Sequence, residues 1–367
     1  MKIPLCKPSV GDKEGDLVKE VLDSGVYVGG EKTKLFEKRF AEYIGTKYAL
    51  SFNSCTSALQ ATIQALGIKG KVAVPSFTFS ASANSIKTAG CEPVFVDVDP
   101  ETYNLSLASL EKALEKYEDI KAVMVVHYAG QSCDMDEIMK IVDKYNIHLI
   151  EDSAETCGGT YKGKKTGSFS FGCFSFFPTK NITTGEGGMV TFDQEELIEK
   201  LKLIRGHGIG GKKEKPWKRN AILSGYNFRM GEINAAMGIV QLEKLDEMNN
   251  KRMEIAKKYN LFLQDFKEID APKVLEGVKH VYQMYVIKLD KKLNRDEFVM
   301  KLREKGIEAS VHFDPPVHLQ EEYLNSEKVD LSTTEDICKR VVTLPIYPDM
   351  TDDEINYVSE SIKEILK

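Results

Sequence analysis

Between residues 71 and 192 the chain passes through six short apolar runs: Val72–Pro75, Pro93–Val98, Ala122–Val126, His148–Ile150, Cys173–Phe176 and Met189–Phe192. Gly, Pro and Asp bound them, and between the first four lie segments long enough for helices, such as Leu107–Tyr117 and Met135–Tyr145. Short strands alternating with helices predict an α/β layer built on a largely parallel sheet. In such sheets ligands gather outside the carboxyl ends of the strands. Chemistry is therefore sought in the residues that follow each run.

The remainder of the chain has a different texture. Glu232–Phe266 reads as helix almost throughout, with Ile233, Met237, Val240, Leu242, Leu245 and Met248 spaced for one buried stripe. Beyond it, Val281–Leu289 and Glu308–Phe313 read as strands, and Asp296–Lys305 and Asp352–Leu366 as helices. A length of 367 residues fits two domains. The expected division is a large domain over 1–240 and a smaller α+β domain over 241–367, bridged by the helix at about 232–266.

Composition excludes several classes. With 42% hydrophobic residues the chain is too apolar for disorder, and a net charge of −6 is too acidic for a dedicated nucleic-acid binder. The seven cysteines are scattered, with no CxxC pair and no Cys/His cluster, which argues against a disulfide framework or a metal site. The N-terminus lacks the apolar run of a signal peptide and no stretch approaches a membrane span, so the expected setting is a reducing cytoplasm with no membrane partner. The basic, Gly-rich stretch 206–220 holds the single tryptophan, Trp217, and reads either as a surface loop or as a lid.

Leu149–Val190 is the most informative stretch: LIEDSAETCGGTYKGKKTGSFSFGCFSFFPTKNITTGEGGMV. Its first strand ends in Glu151-Asp152, which places a carboxylate where the sheet presents ligands. A lone Asp there is also a common helix cap. Lys180 follows, in a segment of aromatic and small residues, and an apolar setting frees a lysine amine to form a Schiff base with an aldehyde. Ser175 lies just before it, and a small-residue loop, 183–188, comes after. A pyridoxal phosphate (PLP) enzyme needs such a lysine, a carboxylate for the pyridine nitrogen, a phosphate cup and a flat surface against the ring. Asn53–Leu59, between the strand-like Tyr48–Phe52 and a helix expected over Ala58–Leu66, offers free N–H groups and hydroxyls for the cup. Phe77 or Phe79 could cover the ring, although core packing is the ordinary role of a Phe.

The segments SFNSCTSAL, PSFTFSASAN, VHYAGQSCDMD, EDSAE, FSFFPTK, GEGGMV and GYNFRM, in this order, resemble the DegT/DnrJ/EryC1 family of PLP-dependent sugar-nucleotide aminotransferases from about Ile3 to the C-terminus. The resemblance is nearest to 4-keto-6-deoxyhexose C4 aminotransferases. It implies the type I, aspartate aminotransferase-like fold, PLP as cofactor, and a homodimer with active sites shared between subunits. It also implies roles. Lys180 forms the Schiff base, Asp152 pairs with the pyridine nitrogen and Phe79 stacks on the ring. Cys55, Thr56, Ser175 and, from the partner subunit, Asn227 hold the phosphate. Arg229 suits an anionic ligand group. Glu155 stands where glutamine is common and approaches the phenolic oxygen. His318, in FDPPVHL, matches a substrate-side histidine, against the plainer reading of a loop-packing histidine.

The implied activity is transfer of an amino group from L-glutamate to a nucleotide-linked keto-deoxysugar, at C4 of a 4-keto-6-deoxyhexose, to make an amino sugar nucleotide for surface polysaccharide. The alternatives are amination at C3 or a non-catalytic PLP-binding regulator. A nucleotide-phosphate binder has little support, since neither GxxxxGK(S/T) nor a GxGxxG following a strand is present. Local positive potential from helix-start amides, Arg229 and the basic 212–219 loop would serve anionic ligands that the net charge conceals.

Overall fold

In the computed structural model, which describes residues 1–211, 215 and 217–367, the apolar runs form strands. These are β1 Tyr48–Phe52, β2 Lys71–Pro75, β3 Glu92–Val96, β4 Ile120–Val126, β5 His148–Asp152, β6 Phe171–Ser175 and β7 Gly188–Phe192. Later come β8 Ile269–Asp270, β9 Tyr285–Leu289, β10 Glu327–Lys328 and β11 Val341–Leu344.

Eight of them make one sheet in the order β1-β7-β6-β5-β4-β2-β3-β10. Only β7 runs against its neighbours, and every other pair is parallel. The carboxyl ends of β1, β2, β4, β5 and β6 therefore share one edge, and β7 begins there. Helices cover both faces, and the side-chain period of two divides each strand between them. Val72, Val74, Met124 and Ile150 pack against Ala58, Leu59 and Ile63 of the helix Cys55–Leu66. Ala73, Val123, Val125 and Leu149 face Leu110, Leu114, Ile138 and Ile141 of the helices Leu107–Lys116 and Met135–Tyr145. Burial on both faces is why these strands read as continuous apolar runs.

The strands β8, β9 and β11 form a separate antiparallel sheet. Tyr285, Ile287, Val342 and Leu344 pack there with Phe298 and Leu302 of the helix Arg295–Glu304 and Ile355, Val358 and Ile362 of the helix Asp352–Leu366. The 32-residue helix Glu232–Leu263 serves two cores. Its Leu245 and Met248 join Phe36, Phe40, Phe174 and Phe176, whereas Ile255, Tyr259 and Leu263 join the C-terminal cluster.

Four expectations require correction. The long helix ends at Leu263, short of Phe266, and is not buried along one stripe: positions 238–242 are buried on all sides while Ile233 and Met237 are half-buried. Residues 281–284 are not strand; the Val281 and Met284 N–H groups instead donate to the carbonyls of Gly130 and Ala129. Glu308–Phe313 forms no strand either. Ser310 exchanges two backbone bonds with Thr343, after which the chain turns ahead of Pro315-Pro316, and Val341–Leu344 takes the place at the sheet edge. The helix expected from Ala58 starts at Cys55, because Ser54 caps it by accepting the Ser57 N–H on Oγ at 3.1 Å. Among the described residues no helix is long and apolar enough to cross a membrane, and all seven cysteines are free.

A close backbone approach at the shared edge and a buried histidine in the C-terminal half each yield a test. A Cβ on Gly188 would lie 2.4 Å from the Ser54 carbonyl group, so the start of β7 and the helix start approach as closely as only glycine permits. Gly188→Ala is expected to cost about 1–3 kcal/mol of unfolding free energy in urea; an unchanged midpoint contradicts that contact. His280 is buried, with Nδ1 accepting the Tyr282 N–H at 2.9 Å and its ring stacked on Tyr282. Burial pushes its imidazole down from 6.5 to about 3. The fold keeps the ring neutral while the unfolded chain takes up the proton, so this contribution is whole above pH 6.5 and is lost as pH falls toward 3. His280→Gln should lose less stability on acidification than the wild type, and parallel pH profiles would contradict this.

Candidate active site

The shared edge opens into a cavity of about 390 Å³. Its floor begins with the helix that follows β1. Ser54 accepts the first-turn N–H groups of Ser57 and Ala58, whereas those of Cys55 and Thr56 have no acceptor among the described residues, and both residues line the cavity. Two unpaired amides at a helix start, with the helix dipole behind them, make an anion cradle. Burial, and next the charge of Asp152, push the Cys55 thiol well above its usual range, so it sits there as a neutral group.

Asp152 closes β5 on the same edge. Its Oδ2 accepts from Ser82 Oγ at 2.8 Å and its Oδ1 from the Ala154 N–H at 3.2 Å. Burial raises this carboxyl, the two hydrogen bonds lower it, the Glu155 charge raises it again and Lys180 opposes that. A carboxylate so enclosed favours a cationic N–H partner. Glu151, one residue earlier, points to the other face and is spent on structure, accepting from the backbone N–H groups of Gly167, Phe169 and Ser170 beside His127.

After β6 the chain turns tightly, the Lys180 N–H donating to the Phe177 carbonyl. This brings Nζ to 3.4 Å from Glu155 Oε1. The amine therefore faces a buried carboxylate rather than the wholly apolar setting that the neighbouring residues suggested. Glu155 Oε2 accepts the Ala129 N–H at 2.8 Å. Ser175 lies at the end of β6 and lines the cavity. Of the two phenylalanines, Phe77 is buried in a core cluster, while Phe79 is 61% exposed and lines the cavity, 6.1 Å from the Phe313 ring.

Seven of the ten residues singled out from sequence thus meet at one cavity: Cys55, Thr56, Phe79, Asp152, Glu155, Ser175 and Lys180. Three do not. Asn227 and Arg229 are exposed and outside this chain's cavity. His318 is buried away from it, with Nδ1 2.6 Å from Ser76 Oγ and Nε2 3.2 Å from Glu335 Oε1, which is the packing arrangement rather than the substrate-side one. The histidine at the cavity is His312, unforeseen because its segment read as strand. Its Nδ1 lies 2.9 Å from Thr343 Oγ1, and burial pushes its imidazole below the usual range. Gln283, Met284 and Phe313 complete the wall on that side. Within the basic 212–219 loop, Lys212, Lys213, Glu214 and Pro216 lie outside the described residues; Trp217 is exposed and not part of the cavity wall.

The donor set fits the cofactor that the sequence resemblance implies: paired amides and hydroxyls for a phosphate, a buried carboxylate for a protonated ring nitrogen, an aromatic face, and a single lysine amine within the walls. Comparison with known proteins agrees. GDP-perosamine synthase of Caulobacter vibrioides is 37% identical over 100% of this chain and 98% of its own length. The solved structure of PseC from Helicobacter pylori, an aminotransferase involved in the biosynthesis of pseudoaminic acid, superposes with a TM-score of 0.94 at 29% identity, covering 99% of each chain. The PLP-form of a sugar aminotransferase described as putative, Spr1654 from Streptococcus pneumoniae, does so with a TM-score of 0.92 at 27% identity, covering 100% of this chain and 98% of that one. The match of residues 8–363 to the family model settles the kinship: the chain belongs to the DegT/DnrJ/EryC1/StrS aminotransferase family.

Proposed function

We propose that the protein is a PLP-dependent aminotransferase that moves the amino group of L-glutamate to the keto carbon of a nucleotide-linked keto-deoxysugar, C4 of a 4-keto-6-deoxyhexose. The observation that carries this reading is the convergence of the Lys180 amine, the Asp152 carboxylate and the free amides of Cys55 and Thr56 on one cavity. The kinship to GDP-perosamine synthase over the whole chain supports the sugar-nucleotide side of it.

When bound, the cofactor would supply an aldehyde and an electron-accepting ring. The protein's own residues do the remainder. Cys55 and Thr56 give their amides, and Ser175 its hydroxyl, to the phosphate. Phe79 covers one face of the ring, and Asp152 keeps a proton on the ring nitrogen. The Lys180 amine would hold the aldehyde and, when free of it, would take the proton from the donor's Cα. In the second half-reaction the same amine delivers a proton to the sugar carbon that accepts nitrogen, on the face that Lys180 occupies. His312, from the opposite wall, is the histidine within reach of the sugar side. Asn227 and Arg229, exposed in one copy, serve the cavity of a second copy, Asn227 at the phosphate and Arg229 at an anionic group of the substrate.

Two tests follow. Lys180→Ala should abolish both the visible imine absorbance after PLP addition and all turnover, with the fold intact by circular dichroism; Asp152→Asn should still bind PLP but lose about 10²-fold or more in rate. Full turnover in either variant removes that residue from the mechanism. The shared site is tested by mixing inactive Lys180→Ala with Asn227→Ala, which is expected to lose most of its activity with the phosphate contact. Random reassortment into dimers restores one intact site in half of the dimers, about a quarter of wild-type activity. No recovery after subunit exchange is the contrary result.

A further inference from the structure

Glu155 has both oxygens committed, and to groups of different kinds. Oε1 lies 3.4 Å from Lys180 Nζ, and Oε2 accepts the Ala129 N–H at 2.8 Å. The Glu155 side chain is 7% exposed, and what exposure remains faces the cavity. Ala129 sits in a strap, residues 128–131, whose backbone is unusual: Ala129 has φ 56° and Gly130 φ 104°. The left-handed turn at Ala129, unfavourable for a residue with a Cβ, is held in place from outside its own segment.

The other side of the strap grips the C-terminal wall of the cavity. The Gly130 carbonyl accepts the Val281 N–H at 2.9 Å and that of Ala129 the Met284 N–H at 3.3 Å. A Cβ at Gly130 would meet Tyr282 N at 2.8 Å and Gln283 N at 2.9 Å, so the two backbones touch. Tyr128 donates its hydroxyl to the His312 carbonyl, and Gln131 accepts the Leu275 N–H while donating to the Lys273 carbonyl. Gln283, Met284, His312 and Phe313 are cavity-wall residues.

We propose that Glu155 is a positioning residue that tethers Lys180 to the 128–131 strap, so that the aim of the amine and the seating of the C-terminal wall depend on one carboxylate. The ion pair holds the amine at the wall-side end of its reach when the amine is not engaged with the cofactor. The Ala129 bond holds the strap against 281–284. This goes beyond the reading of Lys180 as the cofactor-binding lysine, and rests on it for only one of its two readouts.

The test uses the full chain free of cofactor. Hydrogen exchange is followed at 128–131 and 281–284, and in parallel Lys180 is titrated with limiting PLP, reduced with borohydride and mapped by peptide mass. In Glu155→Ala, exchange at both segments should rise about tenfold and trapping of Lys180 should fall by a similar factor, as losing a buried charged acceptor would bring about. Glu155→Gln keeps the length of the side chain and an acceptor for Ala129, and should restore exchange to within about twofold of the wild type. A Glu155→Ala protein in which only one readout changes, or neither, overturns the tether, as does Glu155→Gln exchanging as fast as Glu155→Ala. Failure of PLP to modify Lys180 in the wild type would instead strike the proposed function, and leaves the exchange result legible.

Discussion

The structure depends on one consequence of strand direction. Because β1, β2, β4, β5 and β6 run the same way, the residues that leave them arrive at a single edge: Ser54–Thr56, Thr78-Phe79, Val126, Asp152 and Ser175. β7 enters from that edge against its neighbours, which sets Gly188 opposite both Phe52 and Ser175. No side chain had to travel far to build the cavity. Sheet register did most of the positioning, with Asp152 paired to Val126 on one side and Cys173 on the other.

Polar groups buried at that edge are sorted by the period of the strand. Glu151 turns into the protein and caps a loop through three backbone N–H groups, whereas Asp152 meets the cavity with two donors. Buried carboxylates are costly unless they are met by donors or cations. Glu151 is met within the fold and Glu155 by Lys180 and Ala129, whereas Asp152 has two neutral donors and no ion pair among the described residues. The same logic applies at the helix start, where two amides remain without acceptors.

Much of this was legible in the sequence because local patterns and tertiary packing agree. Met135–Tyr145, a segment between strands long enough for a helix, is one over that range, and the apolar runs fall on strands within a few residues. Where they disagree, the long-range contact decides. Glu308–Phe313 alternates well enough for a strand but meets Thr343 at one bridge and then turns, and with that error went the identity of the cavity histidine, His312 in place of His318. The setting of Lys180 follows the same rule: its sequence neighbours are apolar, and the carboxylate beside it comes from another loop. Asn227 and Arg229 stand on the outer surface of the chain, outside its cavity.

The central claim is that the cavity around Lys180 moves nitrogen from glutamate to a sugar nucleotide. The most direct measurement is to incubate the protein and PLP with L-glutamate carrying an isotopic label on its amino nitrogen and with GDP-, UDP- and dTDP-linked keto-deoxysugars, locating the label in the product by NMR. The account predicts labelled nitrogen on C4 of one 4-keto-6-deoxyhexose nucleotide together with release of 2-oxoglutarate. Label at C3, or none in any sugar nucleotide from a protein that binds PLP at Lys180, would contradict it.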